Sequence, residues 1–90
     1  MTDQKLRAVV DEIHTELAQA EGLSESARLS LEQLVRDLEA LIDQPAGLAR
    51  ERQHSIRDRL GDWVRRLEAS HPALSTTLGN VIDTLGFFGL

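Results

Sequence analysis

SHPALSTTLGNVIDTLGFFGL, residues 70–90, is the stretch on which the fold turns. It carries one charged residue, Asp83, and both phenylalanines of the chain. Within it Leu74, Leu78, Val81, Leu85 and Phe88 recur at spacings of four, three, four and three, flanked by Ile82. That spacing is one stripe of an amphipathic helix. His71-Pro72 marks where the helix starts: a residue before proline is pushed out of helical geometry, while proline suits a first helical turn. Ser75, Gly79 and Gly86 fall on the next strip of the same helix, which is therefore bare where the stripe is apolar.

Upstream, the same four-three alternation appears three times on much more highly charged helices. The first, over residues 3–21, aligns Leu6, Val10, Ile13, Leu17 and Ala20 and stops at Gly22, with Leu23 folding back on its last turn. The second, over 24–43, is capped by Ser24 with Glu25 in its first turn, and aligns Ala27, Leu31, Leu34, Leu38 and Leu41, widened by Val35 and Ile42. Arg28, Glu32 and Arg36 form an i,i+4 ladder beside that stripe, and Pro45 ends the segment. The third, over 46–69, aligns Ile56, Leu60, Trp63 and Leu67, with Gly61 beside the stripe as either a close-approach point or a soft spot.

The fold expected is all-α, a single domain over 1–90: a small bundle of three longer antiparallel helices and a short apolar fourth over 72–88. Connections of two to four residues suit neighbouring helices. The joint at His71-Pro72 has almost no loop, so the fourth helix leaves the third at a corner, which argues against simple up-down-up-down closure.

Ninety residues give a thin core, so association between copies is a natural supplement. There is no cysteine, hence no disulfide framework and no thiolate chemistry. The first residues carry no apolar run behind a basic region, and no window is long and apolar enough for a membrane span, so a cytoplasmic location is expected. The net charge of −5 is uneven: residues 1–45 hold ten acids against four bases, residues 46–90 five acids against six arginines. The acidic half disfavours nucleic acid as the main partner.

Residues 67–74, LEASHPAL, followed by Leu78, Ile82, Leu85 and the ending Phe88-Gly89-Leu90, resemble a family of short bacterial proteins, domain-of-unknown-function family 4404. The resemblance implies a leucine-rich helical first half and an acidic-His-Pro-x-Leu turn into a last helix that ends in glycine plus an aliphatic residue. It implies no activity and no site residues. Thr76, Thr77 and Phe87 stand where polar or basic residues are expected in that family.

No catalytic constellation is indicated, and no cofactor or metal. Glu51-x-x-His54 and Asp11-x-x-His14 echo the Glu-x-x-His pairs of di-iron bundles. Both lie off their stripes, and no glutamate faces inward to complete such a site. Ser24, Ser26, Ser30 and Ser55 have no histidine and acid at nucleophile spacing. His71 reads as a corner residue that caps the fourth helix or packs on the third. Arg50, Arg52, Arg57, Arg59, Arg65 and Arg66 are interleaved with Glu51, Asp58, Asp62 and Glu68, and Asp62 with Arg66 is a well-oriented i,i+4 pair, so a mixed solvated face is expected.

The function expected is that of a non-enzymatic interaction or scaffold protein that forms a homo-oligomer, a dimer by preference, or meets another protein. Its interface would comprise Trp63, Leu67, Leu74, Leu78, Val81, Ile82, Leu85, Phe87 and Phe88. The alternative is binding of nucleic acid or an anionic surface through the arginine-rich third helix.

Overall fold

In the computed structural model, residues 2–43 and 50–86 are described, and they form four helices: α1 (Thr2–Gln19), α2 (Glu25–Asp43), α3 (Arg50–Leu67) and α4 (Pro72–Gly86). The four helices expected are all present. Residues 46–49, expected as the start of the third helix, and Pro45, expected to end the second, lie outside the described residues.

The connections follow local chemistry. Gly22 has φ +81°, the left-handed conformation that ends α1, and Leu23 packs half-buried against the core. Ser24 caps α2: its Oγ accepts from the Ala27 amide at 3.0 Å, and its carbonyl accepts from the Arg28 amide at 3.0 Å. At the other joint, a turn over residues 68–70 brings the His71 amide to the Leu67 carbonyl at 2.7 Å. The His71 carbonyl then accepts from the Ser75 amide at 3.0 Å, the first bond of α4.

α1 packs on α2, α2 on α3, α3 on α4 and α4 back on α1, and among the described residues the diagonal helices do not touch. Contacts fix the directions. Arg7 meets Asp43 while Arg28 reaches Leu17 and Ala20, so α1 and α2 run antiparallel. Arg59 meets Asp37, while Ser30 and Arg66 share a groove, so α2 and α3 do too. α4 descends α1 from the level of Gln19 towards that of Glu12. The bundle is therefore up-down-up-down. This corrects the expectation drawn from the short corner: three turn residues suffice to reverse the chain, because the proline starts α4 without an amide to satisfy.

The core is the four stripes facing one another: Leu6, Val10, Ile13 and Leu17 from α1; Leu31, Leu34, Val35, Leu38, Leu41 and Ile42 from α2; Ile56, Leu60 and Leu67 from α3; Leu74, Leu78, Val81 and Leu85 from α4. α4 also buries Ser75, Thr77 and Thr84. Each hydroxyl donates to a backbone carbonyl, Thr77 to Ala73 at 3.0 Å, Thr84 to Asn80 at 2.8 Å, and Ser75 across the helix pair to Val64 at 2.7 Å. Burial without those bonds would cost roughly 1–3 kcal/mol per group.

Candidate functional site

The residues expected at an interface divide into three groups. Leu67, Leu74, Leu78, Val81 and Leu85 are buried in the chain's own core, at most 3% exposed. A side chain already surrounded in its own chain offers a partner no area to cover. Trp63 and Ile82 are half-buried at the edge of that core. Phe87 and Phe88 lie outside the described residues. The bare strip of α4 is equally uneven: Ser75 is tied to α3, whereas a Cβ at Gly79 or Gly86 would meet nothing within 4 Å.

With the apolar stripe of α4 absorbed in the core, the open surfaces are the grooves between helices. Between α2 and α3 lies a groove of about 320 Å³, lined by Ser30, Gln33, Arg59, Asp62, Trp63 and Arg66. The guanidinium of Arg66 sits over the Trp63 ring, 5.1 Å from its centroid, a cation–π arrangement. Asp62 pairs with Arg65 at 2.6 Å, one residue short of the Arg66 partner that i,i+4 spacing suggests. Arg59 reaches across to the largely buried Asp37 at 2.6 Å, whose other oxygen accepts from Gln33 at 3.2 Å. Arg59 and Asp62 thus have counter-charges, while Arg66 meets no carboxylate among the described residues. Of the arginine set on α3, Arg59 and Arg65 are thus paired with acids.

The opposite edge of the bundle, between α1 and α4, carries a wider groove of about 640 Å³. Its charged lining residues are Glu12 and Glu16, set among Thr15, Ala73, Thr76 and Asn80. Glu16 Oε1 is buried and accepts no hydrogen bond. A buried acceptor left without a donor costs roughly 1–3 kcal/mol, more when it is charged.

The histidines serve elsewhere. His14 Nε2 lies 3.7 Å from Glu39 of α2, both well exposed. Glu51, His54 and Asp11 are exposed, and among the described residues no three His, Asp or Glu side chains gather as a metal site requires. His71 does more than start α4. Its Nε2 donates to the Glu21 carbonyl at 2.6 Å, which makes Nδ1 the atom facing Ser70 Oγ at 2.9 Å. One side chain therefore joins the α3–α4 corner to the α1–α2 connection at the same end of the bundle.

Sequence reasoning missed three of these contacts. Arg28 leaves the ladder expected with Glu32 and Arg36 and donates to the Leu17 carbonyl and, at 3.0 Å, to the Ala20 carbonyl. It thereby closes the exposed C-terminal end of α1. Arg59–Asp37 and His71–Glu21 join residues 22 and 50 positions apart, and no local spacing rule reaches that far.

No helix among the described residues is long and apolar enough to cross a membrane. No curated protein and no solved structure matches the chain. The model of one family, described as "Domain of unknown function (DUF4404)", matches residues 6–90, and the chain, with its leucine stripes and its His-Pro corner, belongs to that family.

Proposed function

We propose that the chain is a non-enzymatic helical interaction protein whose contact element is the α2/α3 face built on Trp63 and Arg66. The observation that carries this reading is the half-buried Trp63 ring left at the groove under the exposed Arg66 guanidinium, while most other large apolar groups among the described residues are inside. Tryptophan and arginine dominate the energetics of protein interfaces, because each joins a large flat area to hydrogen-bonding or charged edges. Of the interface set read from sequence, Trp63 keeps its role in this proposal, and the leucines of the last helix serve as core.

The partner chemistry follows from charge. Arg66 is the groove cation that meets no carboxylate, and Gln33 and Ser30 add neutral polar groups, so the face suits a protein surface that presents a carboxylate beside apolar atoms. Asp37 and Asp62 beside the arginines oppose a polyphosphate backbone.

Because Trp63 is the one tryptophan of the chain, its fluorescence reports on this groove directly. Titration with a hexaglutamate peptide at low ionic strength should give a saturable change in emission that Arg66→Ala removes and a hexalysine peptide does not produce. Emission unmoved by hexaglutamate, or moved equally in Arg66→Ala, would overturn the assignment.

A further inference from the structure

We infer that Asp37 is a specificity-determining residue of the α2/α3 groove: from behind the groove wall it cancels the charge of Arg59 and so keeps phosphate out. This rests on the proposed role of that face and adds what sets its selectivity.

The groove holds two guanidiniums in different states. Arg59 and Arg66 both line it, seven residues apart on α3 and so on one side of the helix. Arg66 lies over the Trp63 ring and meets no carboxylate among the described residues. Arg59 donates to Asp37 at 2.6 Å. The Arg59 side chain is 39% exposed and that of Asp37 18%, and Asp37 lies behind the groove lining rather than in it. An anion in the groove therefore reaches Arg59 without reaching the carboxylate that neutralises it. Asp37 is itself held from α2, where its other oxygen accepts from Gln33 at 3.2 Å. Arg59 Nε is buried without an acceptor, so the pairing with Asp37 is what fixes this guanidinium.

Asp62, the other acid beside the arginines, stands differently. It is 55% exposed and pairs with Arg65, which is 72% exposed. Water and salt screen such a pair strongly, and a partly buried charge much less. Of the two acids, Asp37 is the one whose field the groove feels.

This decides the class of anion. One guanidinium suffices for a carboxylate, and Arg66 supplies it. A polyphosphate concentrates several charges and is held by several cations. With Asp37 charged opposite Arg59 the groove offers one uncancelled guanidinium; without that charge it offers two on one face of α3. Asp37 touches no ligand and acts through Arg59.

The test is titration of the full chain with inorganic tripolyphosphate at low ionic strength, followed by Trp63 emission. Asp37→Asn should raise tripolyphosphate affinity by at least about tenfold over wild type. Asp62→Asn makes the same change in net charge at the exposed pair and should raise it by less than about threefold. Arg59→Gln added to Asp37→Asn should remove the gain. A purely structural role for Asp37 predicts a loss, not a gain. No gain in folded Asp37→Asn, an equal gain in Asp62→Asn, or a gain that survives Arg59→Gln would each overturn the assignment. Should circular dichroism show Asp37→Asn unfolded, Ser30→Lys adds an uncancelled cation at an exposed lining position and should give the same gain; its failure to do so overturns the charge argument. If hexaglutamate leaves the wild-type signal unmoved while Asp37→Asn gains tripolyphosphate, the proposed partner falls and the role of Asp37 stands. If hexaglutamate saturates the signal and no variant gains, the partner stands and the role of Asp37 falls.

Discussion

α3 and α4 exchange the roles that their compositions suggest. α4 is the most apolar helix and holds one charged residue, whereas α3 holds nine charged residues among eighteen. An apolar, charge-poor helix beside a charged body looks like a sticky end. Yet α4 spends its stripe inward against α1 and α3, and its buried hydroxyls bond to backbone carbonyls. The charged α3 is the helix that leaves a large aromatic, Trp63, only half-buried at the edge of the core. Apolarity measures how much area needs cover; whether a neighbour in the same chain covers it is a separate matter.

The sharpest way to break this comparison is to empty one position on each helix. Leu78→Ala removes a fully buried side chain where the four stripes meet, and should cost about 2–5 kcal/mol in urea unfolding. In a chain this short that is a large share of the total stability. A loss below about 1 kcal/mol would mean that α4 does not close the core of its own chain. Trp63→Ala, on a half-buried group, should cost only about 1–2 kcal/mol while abolishing the hexaglutamate response. The two variants should thus rank oppositely in stability and in binding.

The smallest effect refines the picture of α3 itself. A Cβ at Gly61 would meet only the tip of Arg65, at 3.9 Å, so no helix approaches closely there. Of the two roles open to this glycine from sequence, the soft spot is the one that fits. Gly61→Ala should therefore raise stability by about 0.5–1 kcal/mol, seen as a higher melting temperature. A drop would reveal packing on α3 that the single chain does not contain, such as a neighbouring copy.

Much of the fold was legible in the sequence because it is local. Stripe spacing placed the four helices, the left-handed Gly22 ended α1, Ser24 capped α2, and His71-Pro72 began α4; each of these signals acts over four residues or fewer. The candidate site was legible only at Trp63, singled out by its type and its place on the stripe. Its partners were not, since arginine side chains are long enough to choose among several acids. Asp62 takes Arg65, Arg59 takes Asp37, and Arg28 takes the end of α1. Only the neighbour order of the helices settles such choices. The helices themselves follow from hydrogen bonds and burial patterns within single segments, which the order of residues determines unaided. Which leucines become core, which groove keeps its cation and which carboxylate goes without a donor depend on how four segments surround one another, and that was decided by the tertiary structure.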